Sequence, residues 1–216
     1  MIFMKNNQVS FNIIGILVAV LLVGCSATTF KRKWTLEQAP KTFTVVFETT
    51  KGPMEFQIER RYSPEAVDRF YQLSKHHYFD NNFFYRTIPN FVAQFGTYDT
   101  VIQRVWEQAV IKDEPVVLGN AKGTISFARS GPNSRGTDLY INLVDNHRLD
   151  TINYNDVVGF PAFGKLTKGE NVLEQLYTGY ASTSVDSLNW MYRDTLQFKT
   201  YFPKLDRIKR VTILEN

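Results

Sequence analysis

Apolar and polar residues alternate along several short stretches of the chain, which is the pattern of half-buried β-strands. Residues 43–47 and 54–58 show it on either side of a turn sequence, Thr50-Lys51-Gly52-Pro53, and predict a hairpin. Six more stretches have strand composition: 83–87, 91–95, 124–128, 139–143, 162–166 and 208–214. Eight short strands predict a mainly β, antiparallel domain that is closed into a barrel, because closure removes the exposed edges of a sheet.

Two segments follow the helical period instead. The first helix begins at Ser63-Pro64-Glu65, with a hydroxyl cap, a proline in the first turn and an acid at the positive end of the helix dipole. Its apolar positions form one stripe that predicts packing on a sheet: Ala66, Val67, Phe70, Tyr71 and Leu73. A second helix is predicted at 170–177, so we expect two helices that cap the barrel.

The N-terminus combines an apolar run with the single cysteine of the chain. Residues 13–24, behind Lys5, fit the hydrophobic core of a signal peptide. Leu22-Val23-Gly24-Cys25 resembles the bacterial lipobox, in which the cysteine is lipidated and becomes the mature N-terminus. The pattern predicts a lipoprotein signal peptide at 1–24, a tether at 25–41 and one domain at 42–216. The alternative is a plain signal peptide, or an uncleaved anchor, with an incidental cysteine.

Ser26 follows the cysteine in place of an aspartate, which resembles the sorting signal for the outer membrane. We therefore expect a protein of the bacterial cell envelope, held in the outer membrane by a lipid on Cys25 and facing the periplasm. The 216 residues, 44% of them hydrophobic, can bury a large core. Because the net charge of +4 is spread along the chain, we expect no nucleic-acid binding. We also expect a monomer.

Motifs for cofactor chemistry are incomplete. Residues 131–138 contain two glycines of a phosphate loop, but Thr137 and Asp138 stand where lysine and a hydroxyl residue are required. The three histidines, two of them adjacent at 76 and 77, lack further donors at metal-ligand spacing and lie in no motif with a serine nucleophile. We expect no cofactor and no metal.

An arginine interrupts one of the predicted strands. Arg86, in the stretch FFYRTIPNFVAQFG that begins at Phe83, has the strand parity of Phe84 and Ile88, so it leaves the pleat on an apolar face. A buried charge without a partner is costly. Arg86 therefore needs either an interaction partner or a functional role.

Four segments resemble the cyclophilin-type peptidyl-prolyl isomerases. FFYRTIPNFVAQFG is similar to the family's F-H-R-V-I-P-x-F-M-x-Q-G-G, and GTISFARSGPNSRGTDLYI, from Gly123, to its G-x-L-S-M-A-x-x-G-P-N-x-x-G-S-Q-F-F-I. Leu149-Asp150 and residues 163–166 match the L-D and F-G-K-V that follow. The resemblance covers 43–177 and the last strand, and implies a closed eight-stranded cyclophilin-like barrel. Residues 181–202, here called the extension, look like an additional C-terminal helical segment of bacterial relatives.

The resemblance implies a catalytic group. Rotation of a prolyl amide crosses a barrier of roughly 18–20 kcal/mol, because twisting destroys the resonance of the C–N bond. In the twisted state the proline nitrogen regains its lone pair, so a fixed guanidinium that donates to it stabilises the transition state preferentially. The family pattern gives this role to Arg86, oriented by Gln94.

The resemblance also implies a surface that holds the substrate. Ala128 with Arg129 contacts the peptide backbone, and apolar residues hold the proline ring. These pocket residues are Phe91, Val92, Tyr140, Leu149, Phe160 and Phe163. Without the resemblance, the aromatic residues among them would be assigned to the barrel core.

Four positions depart from the family pattern. Tyr85 and Phe160 replace histidines, and Arg148 replaces a tryptophan. Asp138, on the substrate-binding surface, replaces a glutamine, and if it reaches Arg86 it either positions the cation or neutralises it.

Two functions from different classes follow. The first is an isomerase of X-Pro bonds that assists the folding of exported proteins. The alternative is a catalytically weak binding module or chaperone, and a generic surface lipoprotein is a more distant third. Both of the first two take proline-containing polypeptides as partners. The joint presence of Arg86, Phe91, Gln94 and Phe163 favours the enzyme.

Overall fold

Eight antiparallel strands form one sheet in a computed structural model that describes residues 30–97, 100–191 and 193–214. The predicted signal peptide at 1–24, the predicted lipidation site Cys25 and residues 26–29 of the predicted tether lie outside the described residues. The strands are β1 (Thr42–Thr49), β2 (Pro53–Glu59), β3 (Arg86–Thr87), β4 (Val92–Phe95), β5 (Thr124–Phe127), β6 (Leu139–Asn142), β7 (Asn153–Tyr154), β8 (Val157–Val158), β9 (Ala162–Lys168) and β10 (Ile208–Leu214). β7 and β8 pair as a separate hairpin.

The sheet is curled into an open half-barrel, so the prediction of a closed barrel is wrong. Its strand order is β10-β1-β2-β9-β5-β6-β4-β3, and a bridge between Phe83 and Arg207 joins the two edges. β3 has only two residues, Arg86–Thr87, which is too short for a ladder with β10. Each of the eight predicted strands overlaps a strand of the sheet, but only Arg86 and Thr87 of the predicted strand 83–87 belong to β3, and closure depends on the length of this edge strand.

The helices differ more from the prediction than the strands do. They are α1 (Pro64–Lys75), α2 (Thr100–Glu107), α3 (Arg148–Thr151), α4 (Glu170–Glu174) and α5 (Thr195–Tyr201). α1 and α4 are the two predicted helices, although α4 ends three residues early, and α5 lies in the extension. α2 and α3 were not predicted. No helix in the described ranges is long and apolar enough to cross a membrane.

Aromatic side chains form the core between α1 and the sheet. Phe70 of α1 lies 5.2 Å from Phe163 of β9 and 6.3 Å from Phe47 of β1, measured between ring centroids. β1 alternates buried and less buried residues along its length, as the sequence pattern predicts. Each fully buried phenylalanine stabilises the fold by about 1.5–3 kcal/mol, so the core fixes the sheet on which the candidate site is built.

The start of α1 is capped from a distance. The Ser63 hydroxyl does not bond to the helix backbone, so the predicted hydroxyl cap is wrong. Instead the Glu114 carboxylate accepts hydrogen bonds from the N–H groups of Glu65, at 2.8 Å, and Ala66, at 3.2 Å. The Ser63 hydroxyl donates to the same carboxylate. A negative group still occupies the positive end of the helix dipole, but it comes from a loop far along the chain.

Part of the predicted tether packs on the domain. Residues Arg32–Leu36 form a short 3-10 helix, and its Trp34 ring stacks on His76 with centroids 3.9 Å apart. Gln72 donates a hydrogen bond of 2.7 Å to the Glu37 carbonyl. From Arg32 onward the tether is therefore not a free spacer. Within the described ranges, no group of three or more histidine, cysteine or acidic residues could hold a metal ion.

Candidate active site

Arg86 is held by two neighbours from opposite sides. It is half-buried on β3, directly opposite Gln94 of β4. Its Nη1 donates to Gln94 Oε1 at 3.1 Å, and its Nε donates to Ser182 Oγ at 3.2 Å. In the part of the chain that the structure describes, no hydrogen bond uses Arg86 Nη2. The guanidinium is thus fixed in place with free N–H groups.

An apolar cluster lies beside this guanidinium, and we call it the pocket because the resemblance predicts that these residues hold the proline ring. Val92 of β4, Tyr140 of β6 and Leu149 of α3 are 3%, 5% and 8% exposed and form one cluster. Phe91, Ala128, Ile152 and Phe160 pack against it and are only partly buried. Tyr140 pairs with Gln94 across β4 and β6, so strand register sets the pocket next to Arg86. The structure therefore brings together the predicted catalytic pair and most of the predicted pocket.

Two arginines lie near the Phe91 ring at the rim of this pocket. The Arg86 Cζ atom is 6.0 Å from the centroid of the Phe91 ring, and the Arg148 Cζ atom is 4.7 Å from it. Arg148 is exposed, so its charge stays in water while its face covers the ring. Arg148, which the resemblance places at the family's tryptophan position, thus borders the pocket.

Phe163 does not line the pocket. It is completely buried on β9, with its ring centroid 5.2 Å from Phe70 and 5.6 Å from Phe127. Strand alternation turns this side chain toward α1 and the core. Phe160, three residues earlier and before the strand begins, lies in the pocket instead, 6.3 Å from Tyr140 between ring centroids. For Phe163 the assignment to the core is correct, and the assignment to the substrate surface is wrong.

Arg129 uses its side chain inside the protein. Its guanidinium donates to the carbonyls of Tyr154 and Val157, at 2.7 Å each, and of Gly159, at 2.8 Å. It also lies 4.2 Å from the centroid of the Phe160 ring. Burial lowers the pKa of this guanidinium. The Arg129 side chain therefore braces the β7-β8 hairpin and the Phe160 side of the pocket. The predicted contact with a peptide is then left to the main chain of Arg129 and to Ala128, which is partly buried.

Asp138 bonds to Tyr85 rather than to Arg86. Its carboxylate accepts from the Tyr85 hydroxyl at 3.0 Å, from Thr97 at 2.7 Å and from Gln103 at 3.4 Å. Among the residues that the structure describes, no ion pair joins it to Arg86. Because Asp138 lies before the first residue of β6, the alternation of side chains along that strand does not fix the direction of its carboxylate. Burial raises the pKa of Asp138 to about 6.

This pKa predicts how stability depends on pH. Between the ordinary value of 3.8 and about 6, folded Asp138 keeps a proton that the unfolded chain has lost. The contribution of Asp138 to stability therefore falls as pH rises through that range. Asp138→Asn keeps an acceptor for Tyr85 and Thr97 but does not titrate. Its stability relative to the parent should increase from pH 4 to pH 6 and stay level above pH 7, as measured by denaturant unfolding. A difference that is flat with pH would contradict the assignment.

Asn120 joins three sides of the pocket and was not predicted from the sequence. Its side-chain oxygen accepts from the Tyr140 hydroxyl at 2.8 Å and from Asn142 at 3.1 Å. Its amide nitrogen donates to Asp150 and to the Phe160 carbonyl, both at 2.8 Å. The residue is fully buried, and burial also raises the pKa of Tyr140 above its usual range. A lone asparagine in a loop has no periodic pattern, so only the structure identifies it.

The fold and this site define a class of protein: a half-barrel with an apolar pocket beside a fixed guanidinium. Comparison with known families agrees. The family described as "Cyclophilin type peptidyl-prolyl cis-trans isomerase/CLD" matches residues 44–194. The chain belongs to the cyclophilin-type peptidyl-prolyl cis-trans isomerase family.

Individual relatives are consistent with this. A peptidyl-prolyl cis-trans isomerase of Acinetobacter baylyi is 30% identical over 141 residues, which cover 64% of this chain and 74% of that protein. Peptidyl-prolyl cis-trans isomerase A of Dickeya dadantii is 29% identical over 134 residues, 61% of this chain and 70% of that protein. The crystal structure of a cyclophilin type isomerase from Cryptosporidium parvum has the same fold, with a TM-score of 0.58 at 22% identity over 81% of this chain and 99% of that one.

Proposed function

We propose that this protein catalyses the cis-trans rotation of X-Pro peptide bonds. The observation that carries the proposal is the position of Arg86, held by Gln94 and Ser182 beside the pocket formed by Val92 and Tyr140. Relatives named peptidyl-prolyl cis-trans isomerase support it.

The chemistry requires a donor for the proline nitrogen. A planar amide nitrogen accepts no hydrogen bond, whereas the twisted nitrogen does, so a donor placed there binds the transition state more tightly than the ground state. With respect to the described residues, the Nη2 group of Arg86 is free to donate while Nε and Nη1 are held. Because the donor is already oriented, little reorganisation accompanies the rotation.

The pocket supplies the other requirement, a site for the proline ring. Val92, Tyr140 and Leu149 are its buried members, and Phe91 and Phe160 pack against them and are partly buried. The Tyr140 hydroxyl is bonded to Asn120, so its ring presents an apolar face to the pocket. Burial of a proline ring against this surface fixes the substrate next to Arg86.

The direct test measures exchange between the cis and trans forms of a proline tetrapeptide by NMR, with and without the purified protein. Acceleration of the exchange at catalytic concentrations of protein is the expected result. Binding of the peptide without acceleration would instead support the weak binding module. Neither binding nor acceleration would overturn the proposed function.

We further propose that the protein is a monomeric bacterial lipoprotein that assists the folding of exported proteins. The proposal divides the chain into a signal peptide at 1–24, a tether from Cys25 and the isomerase domain, and places the lipid anchor in the outer membrane facing the periplasm. The support is the sequence Leu22-Val23-Gly24-Cys25 followed by Ser26.

The lipid anchor predicts a change in fractionation. Cys25→Ser removes the acylated thiol, so the protein should move from the membrane fraction to the soluble exported fraction, or accumulate uncleaved. Fractionation of cells that express the full chain measures this, and Ser26→Thr is the matched control that keeps the cysteine. A cleaved Cys25→Ser protein that stays in the membrane fraction would contradict the proposed anchor.

A further inference from the structure

The extension packs along the free edge of β3, on which Arg86 lies. Ala181 forms an antiparallel bridge with Thr87, the residue after Arg86. The Ser184 hydroxyl donates to the carbonyl of Tyr85, the residue before it. Between these two contacts, Ser182 Oγ accepts the hydrogen bond from Arg86 Nε. The extension thus contacts both chain neighbours of Arg86 and the guanidinium itself.

An apolar cluster fixes the extension in this position. Met191 and Phe198 of the extension are completely buried against Phe83 and Tyr85. The ring centroids of Phe83 and Phe198 are 5.4 Å apart. Phe83 and Tyr85 precede Arg86 in the chain, so the residues that anchor the extension belong to the segment that carries the arginine. Burial of this size holds a segment in one conformation, and the place of Ser182 is therefore set by packing rather than by the hydrogen bond alone.

We propose that Ser182 is a positioning residue for Arg86 and that the extension is part of the catalytic apparatus. This inference rests on the proposed isomerase function. A guanidinium is planar, so acceptors on Nε and on Nη1 fix the direction of the plane as well as the position of the charge. With Gln94 as its only acceptor, the guanidinium would be free to rotate about the hydrogen bond to Gln94 Oε1. With Ser182 bound at Nε, Nη2 keeps one direction toward the pocket.

The extension makes the test specific. Ser182→Ala removes the acceptor, Ser182→Thr keeps a hydroxyl, and Thr183→Ala removes a hydroxyl from the exposed neighbour, for which the structure gives no side-chain hydrogen bond. Each full-length variant is assayed for kcat and KM by NMR exchange, for thermal midpoint, and for the ¹H–¹⁵N signal of Arg86 Nε–H. That signal is assigned by its loss in Arg86→Lys.

We expect Ser182→Ala to lower kcat by about 2- to 10-fold, the effect of one hydrogen bond, with KM and the thermal midpoint nearly unchanged. The Arg86 Nε–H signal should shift or broaden. Ser182→Thr should recover most of the loss, and Thr183→Ala should behave as the parent. The separation of kcat from stability distinguishes positioning from a structural role.

The proposal is overturned if Ser182→Ala keeps its kcat, if Ser182→Thr is as slow as Ser182→Ala, or if the Nε–H signal is the same in Ser182→Ala as in the parent. The proposed function fails separately, through a parent protein that does not accelerate exchange. In that case the Nε–H signal still shows whether Ser182 holds Arg86, and the claim of a catalytic role for the extension is rejected.

Discussion

Arg86→Ala should lower kcat/KM for a proline tetrapeptide by about 10²-fold or more, the loss measured when a single oriented donor is removed from other active sites. The reason is that the donor acts only on the twisted amide, so its loss raises the barrier without weakening ground-state binding. KM should therefore change little while kcat falls. Arg86→Lys should recover little, because an ammonium lacks the planar fork that contacts Gln94 and Ser182 and still donates to substrate.

The matched control is Arg61→Ala. Arg61 has a side chain that is 70% exposed and pairs with Glu59 at the surface, so the same change of residue type there should leave activity unaltered. Circular dichroism and the thermal midpoint establish that both variants are folded. If folded Arg86→Ala protein isomerised the peptide as fast as the parent, Arg86 would not be the catalytic donor.

Asn120→Ala should lower the free energy of unfolding by about 2 kcal/mol or more. The substitution leaves the Tyr140 hydroxyl and the Phe160 carbonyl without their partner in a buried site, while the Asn142 amide keeps its hydrogen bond to Thr124 Oγ1. Each buried polar group that loses its partner costs about 1–3 kcal/mol. Because these groups line or support the pocket, KM for a tetrapeptide should rise more than kcat falls, the reverse of the Arg86→Ala result.

Asn189→Ala is the control for this prediction, since Asn189 is exposed in the extension. Its change in stability should stay within about 0.5 kcal/mol, the usual range for surface substitutions. Denaturant unfolding measures both variants. A loss below about 1 kcal/mol for Asn120→Ala would show that water replaces the amide, and that Asn120 does not hold the pocket together.

The predicted strands overlap all strands of the sheet because strand composition is a local property of the sequence. β1 and β2 alternate buried and less buried residues, whereas β5 and β6 are buried at every residue. Closure of the barrel was predicted wrongly because it depends on how Phe83 and Arg207, far apart in the chain, meet across two sheet edges. The hydroxyl cap at Ser63 failed for the same reason, since a loop carboxylate from Glu114 was the better partner.

The residues of the candidate site also divide into those that local sequence patterns place correctly and those that depend on distant parts of the chain. Arg86, Gln94, Val92 and Tyr140 lie on paired strands, so motifs aligned to a family place them together through register. Ser182 reaches the site from 96 residues away in the sequence, and no period or motif marks it.

Phe163 shows a different limit of sequence reasoning. The motif Phe163-Gly164 aligns well, but alignment does not tell which face of a strand meets α1 and which faces the substrate. The direction of a side chain follows from the tertiary packing of its strand. For Phe163 the core and the substrate surface are both apolar, so hydrophobicity does not distinguish them.

The pairing of β1 with β10 also sets an order of events during synthesis. Thr44 pairs with Leu214 and Phe47 with Val211, so one of the first strands to leave the ribosome finds its partner in the last. A loop nearly as long as the domain must close before this pairing contributes stability, which slows folding. Until then β1 presents unpaired N–H and C=O groups, which are a template for association with other chains. A nascent chain cannot complete its sheet before residues 208–214 emerge, and a chain that stops short of Ile208 keeps β1 as an exposed edge.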